Sequence, residues 1–250
     1  MQKMIKTNEE LEIMTKSGHI CAAALKEVLA NVKVGATTLA LDQIAQREIE
    51  KRGGKPSFTT VEDYKWTICT TVNEQVVHGI PTSYKLQGGD VLGIDIGALY
   101  NNYHSDLAIS VPVGQIDEEK KRFLQTGKNT LEKAIAQAVV GNQIGDISTA
   151  IQKGVEGAGY RVVKSLTGHG VGRQLHEDPI VPGYGKPKTG VKILENMVLA
   201  IEVIYTNGTG EVHVEDDNWT ISASDGTLGG LFEKTVRIAK SGPIVLTPYL

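Results

Sequence analysis

The stretch that decides the fold is VLGIDIGALYNNYHSDLAISVP, residues 91–112. Two apolar, strand-forming runs flank the Asn-Asn pair at 101–102, and asparagine tolerates the left-handed backbone of a tight hairpin. With this pair as the loop, Asp95 faces Ala108 across the hairpin. Asp106 is two residues before Ala108 on the same strand, so it lies on the same face of the hairpin as Asp95. The backbones of the two aspartates are then about 7–8 Å apart. The stretch therefore predicts a β-hairpin that presents two carboxylates side by side.

Both aspartates stand among apolar neighbours, where an ionised carboxylate is costly unless it is paired or binds a cation. Asp106 taken alone is equally consistent with an ordinary polar residue on a sheet face. The two together, at this register, favour cations held between them, and a pair of metal ions about 3.5–4 Å apart suits the spacing.

Two further carboxylates show the same anomaly. Glu202 lies in the apolar run MVLAIEVIY and Glu233 in GGLFEKTVRI, and Lys234 is the one cationic residue directly beside either glutamate. Four acids in apolar strands require positive charge nearby, so bound metal cations are the simplest explanation.

Histidines occur in two motifs. TGHGVGRQLHEDP, residues 167–179, contains His169 and His176, and NEQVVHGIP, residues 73–81, contains His78. Histidines seven residues apart cannot share one helical turn, so we expect them on a loop and a strand. A lone histidine is more often structural, but an oxygen-rich set with one imidazole favours Mn, Fe, Co or Zn over a thiolate site.

Helical segments alternate with the strand-like runs. Thr7 opens a capping box, T-N-E-E, and Asp117 can cap a later helix; a second helix is predicted at 39–52. The segments VGATT and IGDIS each stand between two helices, about 110 residues apart, which indicates an internal duplication, although two helical hairpins can also look alike by chance. Without a regular βαβ alternation the pattern favours an α+β fold with a largely antiparallel sheet.

Bulk properties narrow the class of protein. The 250 residues are 40% hydrophobic and 22% charged, with a formal net charge of -3, which argues against nucleic acid as the main partner. Two cysteines do not make a disulfide framework, and no secretory signal is recognisable, so a reducing cytoplasm is expected. No apolar run is long enough to span a bilayer.

Taken together, these motifs resemble those of the methionine aminopeptidases, over nearly the whole chain. The resemblance implies five metal ligands, in chain order Asp95, Asp106, His169, Glu202 and Glu233. The five-ligand pattern is shared with prolidases, Xaa-Pro aminopeptidases and creatinases, whereas NEQVVHGIP is more specific. Only 25 residues separate His176 from Glu202, which leaves no room for the type II insertion, so the chain resembles the compact bacterial type I form.

The resemblance also implies a fold and a mechanism. The expected fold is the pseudo-twofold pita-bread fold, as a single catalytic domain, 1–250, with pseudo-repeats at roughly 1–110 and 111–250. Two divalent ions (Co, Mn, Fe or Zn) would activate water, Glu202 would shuttle a proton, and His78 and His176 would hydrogen-bond the scissile amide. The implied reaction is hydrolytic removal of the N-terminal methionine from nascent polypeptides and peptides, with a small second residue preferred.

The same resemblance implies a substrate pocket formed by Tyr64, Cys69 and Trp219, although Cys69 and Trp219 could equally be plain core residues. A monomer in the cytoplasm is expected. Ribosome association is consistent with a substrate that emerges there, but the sequence contains no basic patch that requires it. His19, His104 and His213 are expected to be structural or on the surface.

This sequence departs from the family pattern at five positions, none of them a ligand: Gly97, Leu107, Leu175, Val203 and Lys234. These departures affect the expected pocket shape, metal preference and rate, and the stretch Asp95-Ile96-Gly97 leans toward the Xaa-Pro relatives. Two alternatives therefore stay open at this point, an Xaa-Pro aminopeptidase-like peptidase and a non-catalytic binding protein of the same fold.

Overall fold

In the computed structural model, residues 4–248 are described and form four α-helices and thirteen β-strands. The helices are α1 (Asn8–Ala30), α2 (Thr38–Lys51), α3 (Glu118–Ile135) and α4 (Ile144–Glu156). The strands are β1 (Lys55–Pro56), β2 (Ile68–Val72), β3 (Gln75–Val77), β4 (Val91–Tyr100), β5 (Tyr103–Pro112), β6 (Arg161–Val162), β7 (Thr167–Gly170), β8 (Glu177–Pro182), β9 (Val198–Thr206), β10 (Val212–Val214), β11 (Ile221–Ala223), β12 (Gly229–Ala239) and β13 (Gly242–Val245).

The predicted helix starts are confirmed by their hydrogen bonds. The Glu10 backbone N–H donates to Thr7 Oγ1 at 3.2 Å, and the Thr7 N–H donates to the Glu10 carboxylate at 2.8 Å, which completes the capping box of α1. Asp117 caps α3 through the Lys120 N–H at 2.8 Å. The helix predicted at 39–52 is α2, one residue earlier at each end.

The hairpin of β4 and β5 has the predicted turn and register. Asn101 and Asn102 adopt φ values of 47° and 64°, the left-handed conformation of a two-residue hairpin loop. Asp95 on β4 pairs with Ala108 on β5, as expected. Asp106 on β5 pairs with Gly97, which is two residues after Asp95 on β4.

The core of the fold is a ten-stranded sheet whose pairings are all antiparallel, which confirms the α+β class. Its main order is β1-β4-β5-β12-β9-β7-β8, and β3, β10 and β11 form a separate three-stranded sheet. Helices α1 and α2 pack on the β4–β5 half, and α3 and α4 pack on the β9–β12 half. The duplication of the chain stays a prediction.

Side chains alternate between the two faces of the sheet, and this alternation separates the core from the site. Ile94, Ile96 and Leu107 face the helices and belong to the apolar core, as Val203 and Phe232 do on the other half. The carboxylates next to them in sequence consequently face away from the helices. Within residues 4–248, none of the helices has the length and hydropathy needed to cross a bilayer.

Candidate metal centre

The five predicted ligands lie on five consecutive strands of the sheet. In the sheet order β4-β5-β12-β9-β7, the strands contribute one residue each: Asp95, Asp106, Glu233, Glu202 and His169. The register aligns them, because Glu233 pairs with both Ala108 on β5 and Glu202 on β9. His169 pairs with Ala200, two residues before Glu202. Antiparallel pairing thus gathers into one row residues that are up to 138 positions apart in the chain, from Asp95 to Glu233.

The distances bring these side chains to one point. Asp106, His169 and Glu233 are buried and each offers a ligand atom, and the three atoms lie within 4.8 Å of one another. His169 Nε2 is 3.8 Å from Asp106 Oδ2 and 4.0 Å from Glu202 Oε1. The His169 Nδ1 lies 2.9 Å from the Gly170 carbonyl oxygen, which can only accept, so Nδ1 carries the proton and Nε2 is available as a ligand.

The electrostatics of this group require a compensating charge. Asp95 Oδ1 and Glu233 Oε1 are buried and have no hydrogen-bond partner among the described residues. Burial, reinforced by the neighbouring acids, raises the pKa of Asp95 and Glu233 well above the ordinary carboxyl value. Burial also raises the pKa of Asp106 to about 7 and, together with the charge of Asp106, the pKa of Glu202 to about 8.

Glu202 and Glu233 stand directly opposite each other across β9 and β12. Like charges at opposed sheet positions are destabilising, and four carboxylates with one imidazole are an oxygen-rich donor set. The residues present therefore fit divalent cations, which would satisfy the orphaned oxygens and neutralise the repulsion.

His78 and His176 lie on the walls of the same cavity. The His176 ring stands edge-on to that of His169, with centroids 4.4 Å apart. His78 follows β3 with a left-handed backbone, φ 58°, which is costly for a non-glycine residue and typical of functional sites. The next residue holds it there: the Gly79 carbonyl accepts from the Thr70 N–H at 2.7 Å. Desolvation lowers the pKa of both histidines, so both are neutral at pH 7.

The other end of the cavity is apolar. The whole cavity has a volume of about 320 Å³, and Tyr64, Cys69 and Trp219 are among the residues that line it. That these three residues bind substrate stays a prediction. The Tyr64 and Trp219 rings meet edge-on at 5.0 Å between centroids, and the Tyr64 hydroxyl donates to the Ile68 carbonyl at 2.9 Å. Cys69 pairs with Asp95 in the register of β2 and β4, which sets the apolar end directly beside the acids.

Several lining residues were missed by the sequence analysis. Ile204 and Leu231 line the cavity, and each lies two positions from a site glutamate on the same strand. The period of two along a strand could have found both. Phe58, Val61 and Ser165 carry no comparable signal, because they stand on loops and a short 3₁₀ turn.

The remaining histidines are structural or exposed, as expected. His104 is buried, with its Nδ1 2.6 Å from Ser57 Oγ, and it does not line the cavity. His19 and His213 are on the surface.

The departures from the family pattern fall at three kinds of position. Leu107 and Val203 belong to the helix-facing core, and Lys234 on the same side lies near Glu132 of α3. Only Leu175 lines the cavity. Gly97 lies behind it, because a Cβ at this position would be 2.6 Å from Ser57 Cβ and 2.9 Å from the Phe58 ring. A threonine at position 97 therefore fits only if Ser57 and Phe58 shift.

This fold and this acidic site define a metallopeptidase, and the model of metallopeptidase family M24 matches residues 12–220. The methionine aminopeptidase of Clostridium perfringens is 41% identical over 98% of both chains. Methionine aminopeptidase 1 of Bacillus subtilis is 43% identical over 97% of this chain and 98% of its own. The crystal structure of methionine aminopeptidase from Thermotoga maritima superimposes with a TM-score of 0.95, at 40% identity, over 97% and 98% of the two chains. The chain belongs to family M24, among its methionine aminopeptidases.

More distant structures share the fold alone. Prolidase from Pyrococcus furiosus aligns with a TM-score of 0.78 at 24% identity, covering 98% of this chain and 65% of the prolidase. The pita-bread fold is thus common to both groups, while the sequence relatives at about 40% identity are methionine aminopeptidases. The Xaa-Pro alternative is not favoured.

Proposed function

We propose that this protein hydrolyses the peptide bond after an N-terminal methionine, in nascent proteins and peptides with a small second residue. The observation that carries the proposal is the opposed pair Glu202–Glu233, with a Glu233 oxygen that has no hydrogen-bond partner among the described residues, at the acidic end of a cavity whose other end is apolar. A buried acidic pair has no role in simple peptide binding, but it serves a hydrolase that holds divalent cations.

Two cations fit the donor set, from among Co, Mn, Fe and Zn. Asp95, Asp106 and Glu233 would hold one, and Asp106, His169, Glu202 and Glu233 the other, with Asp106 and Glu233 shared. When bound, the cations supply Lewis-acid polarisation of the scissile carbonyl and lower the pKa of water.

The protein's own groups supply proton transfer and orientation. Glu202 would take the proton of the attacking water and return it to the leaving amine, because its carboxylate lines the cavity beside His169, 4.0 Å from Nε2, and a carboxylate within reach of the reacting water can both accept and release a proton. His78 and His176, neutral and exposed to the cavity, each have one N–H to donate to the substrate carbonyl as it becomes an oxyanion.

The apolar end would select methionine. Tyr64 and Trp219 contribute aromatic rings and Cys69 a thiol, and a thioether makes favourable contacts with aromatic rings. The cavity volume, about 320 Å³, is at the low end for ligand sites, which fits one side chain and its backbone.

The decisive experiment is a peptidase assay on Met-Ala-Ser and Ala-Pro-Ala after the protein is stripped of metal and each metal is added back. We expect metal-dependent release of methionine, lost in Asp106→Ala, with little action on the proline peptide. Preference for Ala-Pro-Ala would support Xaa-Pro specificity. Metal binding without turnover of either peptide would support the non-catalytic binding protein.

Three further expectations concern the cell: a cytoplasmic location, a monomeric state and contact with the ribosome. The net charge of -3 gives no electrostatic support for ribosome contact. Sedimentation with and without ribosomes, at two salt concentrations, measures both the oligomeric state and the ribosome contact.

A further inference from the structure

A buried ion pair joins the start of the described chain to the segment that carries His176. Lys6 Nζ lies 2.6 Å from Glu177 Oε2, and the two side chains are only 5% and 6% exposed. Buried ion pairs usually add little net stability compared with apolar side chains of the same volume. Glu177 directly follows His176, which lines the cavity. The pair is therefore better explained by a role in holding the position of this histidine than by a contribution to stability.

Glu177 closes residues 171–177, here called the His176 segment, into a fixed loop. Its second carboxylate oxygen accepts from the Gln174 backbone N–H at 3.1 Å. Within the segment the Gly172 N–H donates to the Gln174 carbonyl at 3.1 Å, and the Gly172 carbonyl accepts from the His104 N–H at 2.8 Å. Both oxygens of Glu177 are thus partnered, one by the loop and one by Lys6.

Gly172 shows how tightly the segment sits on the ion pair. A Cβ at this position would lie 2.5 Å from Glu177 Oε1 and 2.7 Å from Lys6 Cε. A side chain at position 172 would have to displace the ends of both ionic side chains, so the backbone of the segment lies directly against the pair.

Lys6 is itself firmly anchored. Its backbone N–H donates to the Asn196 carbonyl at 2.9 Å, and the Asn196 N–H donates to the Ile238 carbonyl on β12 at 2.8 Å. The next residue, Thr7, caps α1. The backbone of Lys6 is therefore held between the first helix and the central sheet, so its side chain extends to Glu177 from a fixed point.

We propose that Lys6 and Glu177 are positioning residues that hold the His176 segment so that the ring of His176 stays against His169 and directed into the cavity. This inference rests on the proposed function, which gives His176 its contact with the substrate. Lys6 and Glu177 line no part of the cavity and act only through the segment.

The test replaces the pair with apolar residues of similar volume, in the double variant Lys6→Met/Glu177→Leu. A displacement of about 1 Å in a group that contacts the reacting atoms can cost about a hundredfold in rate. We expect kcat on Met-Ala-Ser to fall between about tenfold and a hundredfold, with KM changed less than about threefold. The matched control is Arg52→Met/Glu48→Leu, which removes an equally short pair, 2.6 Å, at the end of α2.

A second readout does not depend on bound metal or on activity. The chain has six histidines, and the ring signal of His176 in a ¹H–¹³C NMR spectrum of the metal-free protein can be assigned by its loss in His176→Gln. We expect this signal to shift or split in the double variant and to stay in place in the control. A folded double variant with the wild-type kcat and the wild-type His176 signal would overturn the proposal.

Glu177→Asp provides the test if the double variant does not fold. It keeps the charge but withdraws the carboxylate by one methylene, so a smaller loss of kcat and a smaller shift are expected, and wild-type values for both would overturn the proposal. If the wild-type protein itself releases no methionine, the proposed function fails, and the NMR comparison alone then decides whether the pair positions His176.

Discussion

Removing one charge from the opposed pair Glu202–Glu233 should stabilise the metal-free protein while it destroys the site. The change is Glu233→Gln, which keeps the shape of a side chain that is 3% exposed. At a separation of about 5.5 Å and an effective dielectric of about 20, two fully ionised carboxylates would repel by about 3 kcal/mol. This is the upper limit of the gain, because burial raises both pKa values and keeps the pair partly protonated in the metal-free protein. For a chain of this length the upper limit corresponds to a rise of about 6–12 °C in Tm.

The effect should depend on pH in a defined direction. Burial raises the folded-state pKa of both glutamates above the unfolded value, so the acids weaken the metal-free fold as the pH rises from about 4.5 towards the folded pKa, which is about 8 for Glu202. The gain from Glu233→Gln should be absent near pH 4.5 and largest near pH 8.

The assay is thermal unfolding followed by circular dichroism, with a chelator present, at pH 4.5, 6 and 8. The control is Glu211→Gln, which changes an exposed carboxylate and should shift Tm by less than about 2 °C. A metal-free Glu233→Gln protein that melts below the wild type at pH 8 would refute the electrostatic reasoning, because it would mean that the buried carboxylate is stabilising without a cation.

Three other changes test the remaining parts of the site. Adding Mn or Co to the stripped protein at one hundred times its Kd should raise the free energy of unfolding by about 2.7 kcal/mol, and Asp106→Ala should lose most of this gain in the same thermal melts. Trp219→Ala opens the apolar end beside Tyr64 and should raise KM for Met-Ala-Ser about tenfold or more, with a smaller effect on kcat, as steady-state kinetics would show. Gly97→Thr should destabilise the fold by about 1–3 kcal/mol in urea unfolding, because its Cβ meets Ser57 and Phe58, and Gly97→Ala should cost less; equal stability of all three proteins would contradict the packing argument.

The tertiary structure reduces the importance of most departures from the family pattern. Leu107, Val203 and Lys234 are adjacent in sequence to site residues, yet the period of two in a strand directs them to the helix-facing side. They are consequently expected to affect packing more than catalysis. Leu175 is the departure that contacts the cavity, so it is the first position to vary in a search for altered specificity.

The sequence by itself determined the β4–β5 hairpin, its register and the pairing of two carboxylates on one face. These features are local: an Asn-Asn turn fixes the alignment, and alternation fixes the face. The sequence also marked Glu202 and Glu233 as acids in apolar strands, because a buried charge is an anomaly that can be read without a structure.

Only the tertiary structure decided how the separate pieces meet. No local pattern states that Glu233 faces Glu202, that Trp219 reaches Tyr64, or that Lys6 binds a residue 171 positions away. Those contacts depend on which strands pair across the sheet, and this is set by the burial of both helix pairs against it, a property of the whole chain. The residue types and spacings that define the chemistry of the site are therefore local features of the sequence, whereas the geometry of the site depends on long-range packing.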